Sequence, residues 1–407
     1  MRVLTLANHV GSKGGLERHQ LEVCRGLARR GHEIHLLYQE PGDFLTEWEG
    51  FAAGTVPIAA SLPRRRALLP SSLGVARAAR AGAARRPDVV TAFRYWDVPL
   101  ALAIGALAGA PAVGHLALPP PEPLPAWLSA SLRRLRRCIA ASADVAGRWE
   151  RAARLGPDRI TVVPNGVDLA RFTPTDHVGR VDARRRLGLE PEVPLLALAS
   201  RLDPAKGVHV AVAALAALLP GPATHGEPGV RLVVAGGRPL GLAPEDAAAY
   251  EHRLREESAG LPVTWLGPVP DSAPLFQAAD LALVPSLAAE AFGLAAAEAM
   301  ACATPAICSA VGGLPEVVGE LGETLLVPPD DPGALAGRIA SLLDWRTNDP
   351  SLGSRCRERI ASRFSLERMV SETEEALALL ARHRDGSPRR AVRGRPLAAG
   401  ADRREPP

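Results

Sequence analysis

Two glutamates, Glu290 and Glu298, interrupt a run of small apolar residues, EAFGLAAAEAM at 290 to 300. Glu is a good helix former, and acidic residues near a helix start are favoured by its dipole, which accounts for either residue alone. The pair asks for more. The segment follows LALVPS and leads into ACATPAICSAVGG, which read as buried strands where a carboxylate needs a partner. Carboxylates accept hydrogen bonds from hydroxyls and repel phosphate. Upstream, Arg201 and Lys206 in ASRLDPAKGVHV stand just past another apolar run and ahead of a helix. Two cations there suit a diphosphate, the arginine as a fork and the lysine as a point charge, although a solvated surface pair has the same spelling. Gly11, Gly14 and Gly15 open a third candidate loop, GSKGGLERHQ, whose amides at a helix start can face an anion. It is not G-x-G-x-x-G, so it carries no dinucleotide fingerprint. The amides of Gly293 and Leu294, after Phe292, face the same way. Hydroxyl-accepting carboxylates beside diphosphate-binding cations describe a nucleotide sugar.

These loops need elements to aim them. Short apolar runs separated by helix-like stretches recur twice along the chain. The first half contains RVLTLA (2–7), EIHLLY (33–38), DVVTAF (88–93), AVGHLAL (112–118), CIAAS (138–142) and ITVVPN (160–165). The second contains LLALAS (195–200), RLVVAGG (231–237), VTWLG (263–267), LALVPS (281–286), PAICS (305–309) and TLLVPP (324–329). Runs without polar alternation mark strands buried on both faces, hence parallel sheets covered by helices. An α/β protein with two doubly wound Rossmann-like domains follows. Ligands of such sheets bind outside the carboxyl ends of the strands, so two domains face each other across a cleft. The expected division is a first domain over 1–175 and a second, carrying the Arg201, Lys206 and Glu290–Glu298 loops, over 176–364. A helix over 365–383 should pack back on the first domain, and a basic tail over 384–407 should be disordered.

The 407 residues include 47% hydrophobic and only 4% aromatic ones, so the core is built from Leu, Val and Ala, and base-stacking platforms are not indicated. The formal charge is +4. Residues 382 to 407 carry eight Arg against Asp385, Asp402 and Glu405, a surplus larger than that of the whole chain, so the folded part is near neutral. A nucleic-acid partner would rest on this tail alone and is not expected. Five scattered cysteines without metal-ligand spacing read as free buried thiols in a reducing compartment, and no signal peptide is visible at MRVLTLANHV. No formally charged residue lies between Asp97 and Glu122, but Pro99, Pro111 and the prolines at 119 to 121 break that stretch, so it is not read as a membrane span.

At this point the chain resembles the family 4 retaining glycosyltransferases of GT-B fold. The likeness runs through GGLERHQLEVCRGLARRGHEIHLL, ITVVPNGVDLARFTP, SRLDPAKGVHVAVAALAAL, VTWLGPVPDSAPLFQAADLALVPS and EAFGLAAAEAMACATPAICSAVGGLPEVV. The resemblance implies that Arg201 and Lys206 bind the donor diphosphate, with the amides of Gly293 and Leu294 and the Gly14–Gly15 loop completing the anion site. Glu298 would hold the ribose hydroxyls and Glu290 the hydroxyls of the transferred sugar, while His115 in VGHLAL would lie beside donor sugar and phosphate. His9, His19, His32 and His35 lack that placement. The implied reaction is metal-independent transfer of a hexosyl group from a UDP- or GDP-sugar, with retention, and no D-x-D sequence or cofactor signature occurs. The acceptor, a membrane lipid, polysaccharide precursor or small molecule, is not readable.

Three departures stand out: Ser200 and Ala303 replace residues commonly Gly in the family, and the loop after RLVVAGG, near the expected base site, is atypical. Rival expectations are an epimerase or hydrolase using the same cleft, and an inactive binding module. The protein is expected in the cytoplasm. Arg64 to Arg66 and Arg133, Arg134, Arg136 and Arg137 form either a solvated face or a peripheral contact with the inner face of a membrane.

Overall fold

The computed structural model describes residues 1–11, 14–62, 68–156, 158–219, 229–238 and 243–382. Seven strands form the first sheet: β1 (Arg2–His9), β2 (Glu33–Glu40), β3 (Gly54–Pro57), β4 (Val89–Ala92), β5 (Ala112–Leu116), β6 (Arg137–Ala140) and β7 (Ile160–Val162). Six form the second: β8 (Leu195–Ala199), β9 (Arg231–Ala235), β10 (Val263–Gly267), β11 (Leu281–Val284), β12 (Ala306–Ser309) and β13 (Leu326–Val327). Every ladder is parallel. The orders are β3-β2-β1-β4-β5-β6-β7 and β10-β9-β8-β11-β12-β13. Each sheet is covered by helices, so its strands bury both faces, as their unbroken apolar runs require.

All twelve apolar runs contain strands. The thirteenth, β3, was not anticipated: it is a four-residue edge strand, half-buried, with Gly54 at its start and Pro57 at its end, and it offers no apolar run to detect. The last run is shorter than its spelling, because Gly322–Leu325 is a helical turn and only Leu326–Val327 joins the ladder.

Strand order reverses between β1 and β4 in the first sheet and between β8 and β11 in the second. Loops leaving adjacent strands at such a switch point diverge, which opens a crevice at the carboxyl edge. The Gly14–Gly15 loop and Arg94 flank the first switch point, and Arg201–Lys206 and Ser286–Glu290 flank the second.

The chain crosses between the sheets after β7 and returns near its end. The two crossings touch: Val167 pairs with Ser365 in a parallel bridge, Val167 N–H donates to the Phe364 carbonyl at 2.8 Å, and Leu366 N–H donates to the Val167 carbonyl at 2.9 Å. Gly166 permits this, since a Cβ there would run into the backbone of Ser365 and Leu366. The final helix, Leu366–Arg382, then lies against Gly15–Arg29 on the first sheet, placing Met369, Val370, Leu377 and Leu380 in the same core as Leu21, Cys24 and Leu27. The Arg30 guanidinium bridges Glu367 and Glu374 alongside it. Among the described residues no helix is long and apolar enough to cross a membrane. The tail and Arg64 to Arg66 lie outside the described residues.

Candidate active site

A cavity of about 620 Å³ lies between the carboxyl edges of the two sheets and takes its walls from both. On the second-domain side, β8 ends at Ala199 and the chain turns through Arg201 into a short 3-10 turn, Pro204–Lys206, capped by the Asp203 carboxylate accepting from Ala205 N–H at 3.0 Å. Gly207 closes this turn at φ +66°, and a Cβ there would collide with the Pro285 carbonyl. That close approach brings Lys206 against the loop after β11. Its Nζ lies 2.5 Å from Glu290 Oε1, to which Ser286 Oγ also donates at 2.6 Å. Arg201 is half exposed, with its guanidinium 3.9 Å from Asp203. Phe292, Gly293 and Leu294 line the same cavity, with Gly293 at the N-terminal cap of the Leu294–Ala301 helix, so the first free amides of that helix point inward.

Glu298 sits one turn further along that helix and opens elsewhere. It lines a neighbouring cavity of about 210 Å³ with Arg18, Arg171 and Asp168, separated from the main one by Leu294 and His19, which border both. Ser272 Oγ donates to its Oε2 at 3.0 Å. Burial pushes its carboxyl up to about 7, with the Ser272 hydrogen bond and the charges of Arg171 and Arg18 acting in the opposite sense. The two glutamates thus stand at two places, Glu290 paired in the main cavity and Glu298 beside its neighbour.

The first-domain wall holds Gly14, Gly15, Asn8, His9, His19, Arg94 and Asn165. His115 is not part of it. Its side chain is buried beneath Phe93, whose ring stacks on it with centroids 3.8 Å apart, and it borders only a void of about 10 Å³ shared with His19. Burial holds its pKa well below the usual imidazole value. His19 lines the main cavity instead, partly buried on the Gly15–Arg29 helix one turn after Gly15, with its ring edge-on to Phe93 at 5.5 Å and to His115 at 6.4 Å. Burial lowers its pKa to about 4, which leaves it neutral at physiological pH. The helical spacing from Gly15 was the available signal for His19. Asn8 was also missed; Gln39 Nε2 donates to its Oδ1 and to Ser61 Oγ, each at 3.0 Å, linking the ends of three neighbouring strands.

A further contact spans the cleft. The carboxylate of Glu316, from the second domain, accepts the backbone N–H groups of Ala143 and Asp144 at 2.8 Å each, at the start of the Ala143–Ala153 helix of the first. Of the three departures, Ala303 has φ +60°, a left-handed conformation that glycine adopts without strain. Ser200 keeps the β8 loop close, its carbonyl lying where a Cβ on Gly236 would fall. The loop after Gly237 falls largely outside the described residues.

The sequence models described as Glycosyltransferase Family 4 and Glycosyl transferases group 1 match residues 13–171 and 193–344. A D-inositol 3-phosphate glycosyltransferase of Segniliparus rotundus is 32% identical, over 94% of this chain and 88% of the relative. The chain is a family 4 glycosyltransferase. A D-inositol 3-phosphate glycosyltransferase of Xylanimonas cellulosilytica is 34% identical to it over 86% of this chain and 88% of its own. Among solved structures, Anabaena HepE in complex with UDP superposes on this glycosyltransferase with a TM-score of 0.77 at 22% identity, covering 93% of this chain and all of that one. That likeness establishes the GT-B fold of the enzyme, which its two facing parallel sheets display.

Proposed function

We propose that this glycosyltransferase moves a hexosyl group from a nucleotide-diphosphate sugar, of the UDP class, to a hydroxyl of a phosphorylated cyclitol of the inositol 3-phosphate kind. The observation that carries the donor half is the Lys206–Glu290 pair with Arg201 in one cavity. One group suits phosphate and the other hydroxyl, and each holds the other only until a ligand supplies both. The acceptor half rests on relatives more than 30% identical over most of their length whose names specify D-inositol 3-phosphate. The UDP preference is supported by the solved structures of HepE with UDP and with UDP-glucose.

In this reading the donor exchanges partners on entry. Lys206 turns to the diphosphate with Arg201 and the amides of Gly293 and Leu294, and Glu290 accepts from the sugar. Cleavage of the bond between the anomeric carbon and the diphosphate oxygen places positive charge on the sugar and negative charge on the leaving group. Fixed cations and amides at the leaving group stabilise that separation without reorganising. The acceptor hydroxyl attacks from the face the diphosphate leaves, its proton passes to a diphosphate oxygen, and configuration is retained without a covalent intermediate. Glu298 takes the ribose hydroxyls, and His115 supports the sugar side through His19 and Phe93. In this reading Arg201, Lys206 and the helix amides compensate the diphosphate charge, which makes the reaction metal-independent.

The test is a thermal-shift titration with UDP, GDP, ADP and CMP, with and without EDTA, followed by NMR of the products formed from UDP-sugars and inositol 3-phosphate. Stabilisation by UDP that EDTA leaves intact, and a new glycoside with the donor's anomeric configuration, are expected. An inverted product, a nucleotide shift abolished by EDTA, or donor cleavage without a glycoside would overturn the reading.

A further inference from the structure

Buried polar atoms in folded proteins nearly always find hydrogen-bond partners, so the exceptions point to something missing. Among the described residues, three of the side chains with such unpartnered atoms lie along one edge, the carboxyl end of the first sheet: His9 at the end of β1, His115 in β5 and Asn165 after β7. Only His9 and Asn165 line the main cavity. Asn165 is 8% exposed, and its Oδ1 accepts from nothing.

Its mounting is rigid. The next residue, Gly166, donates its N–H to Met369 Sδ at 3.0 Å, and Val167 is stitched to Phe364 and Leu366 where the chain crosses between the domains. Asn165 therefore lines the cleft on a stretch braced at both of the residues that follow it, and its side-chain oxygen has no partner within the protein. An acceptor oxygen cannot serve a phosphate, which brings no proton at neutral pH; it needs a hydroxyl. The cations on the facing wall take the phosphates. The ribose hydroxyls go to Glu298 in the reading above, so with no acceptor bound the hydroxyls left to reach Asn165 are those of the sugar being transferred.

We infer that Asn165 is a specificity-determining residue that accepts a hydrogen bond from a hydroxyl of the donor's hexosyl group. This rests on the nucleotide-sugar reading above and assigns a contact within it. The stability consequence separates it from a structural role. An unpartnered buried carbonyl costs folding free energy, and an apolar replacement of the same shape removes that cost. Asn165→Leu is therefore expected to melt at a higher temperature than the parent while handling the donor less well.

The experiment measures melting temperature and calorimetric affinity for UDP, UDP-glucose and UDP-N-acetylglucosamine, in the parent and in Asn165→Leu and Asn165→Asp. In the parent the better UDP-sugar should bind more tightly than UDP. In Asn165→Leu that advantage should shrink on the order of tenfold with UDP itself unchanged, and Asn165→Asp, which keeps an acceptor oxygen, should restore part of it. A lower melting temperature for Asn165→Leu together with equal losses for UDP and UDP-sugar would show a structural role and overturn the assignment. A parent that binds none of the three would refute the donor reading and the assignment with it. If parent and Asn165→Leu prefer a UDP-sugar over UDP to the same degree, the assignment alone is refuted and the donor reading stands.

Discussion

The carboxyl of Glu298 provides a prediction whose sign follows from burial. Its pKa of about 7, against 4.5 for an ordinary glutamate, means the folded chain holds a proton that the unfolded chain has released between those values. Stability is then fully present below about pH 4.5 and falls as pH rises through 7. The gap of roughly 2.5 pH units converts to about 3 kcal/mol at 1.36 kcal/mol per unit, and partial access from the neighbouring cavity trims it to about 2 kcal/mol. Glu298→Gln keeps the Ser272 hydrogen bond available and never ionises. It should match the parent at pH 4.5 and exceed it by about 2 kcal/mol at pH 8.5, a rise in melting temperature of roughly 5 °C for a domain of this size. Saturating nucleotide should reverse the order, because ribose hydroxyls donating to the ionised carboxylate favour the parent only. In the parent, nucleotide affinity should weaken as pH drops below 7; in Glu298→Gln it should be weaker and flat. Scanning fluorimetry across pH with and without UDP measures all of this. A variant less stable than the parent by the same margin at both pH values would refute the reasoning, since it would mean that the carboxylate is already satisfied.

Two further substitutions test the cleft. Glu290→Gln releases Lys206 from its ion pair, so UDP should bind about fivefold more tightly by calorimetry, the yield of a half-buried pair worth about 1 kcal/mol, while turnover falls; weaker UDP binding would show that the pair organises the diphosphate site and does not compete with it. Glu316→Ala strips two amides at the start of the Ala143–Ala153 helix of their acceptor, at a cost of about 1 kcal/mol, and removes a tie across the cleft, so small-angle scattering should give a larger radius of gyration; an unchanged radius would mean the tie does not hold the domains together.

The fold was legible because a parallel sheet writes itself as unbroken apolar runs, and β3 escaped because a half-buried edge strand does not. The second-domain wall was legible for a related reason. Arg201, Lys206 and Glu290 follow directly on strands, and a strand's carboxyl end fixes where the next residues go. Glu298 was placed correctly on its helix, but the sequence carries no sign that Leu294 and His19 would stand between it and the main cavity. The histidines were harder still. His19 and His115 differ only in depth, and depth depended on Phe93 lying over one of them, a contact between β4 and β5 that no local pattern encodes. Asn165 and Asn8 carry no spelling that separates a cavity amide from a turn amide.

The return of the last helix to the first sheet also bears on how the chain comes off the ribosome. Met369, Val370, Leu377 and Leu380 complete a core that otherwise belongs to residues made before the first crossing. About 200 residues, including the whole of the second sheet, separate the first crossing from the second, which at ordinary elongation rates is a wait on the order of 10–40 s. Through that interval the apolar face of the Gly15–Arg29 helix has no cover from its final partner. The first sheet is made before the second and covered after it, so the second sheet is complete before the first has its full core, and loss of the final helix would strip part of the first.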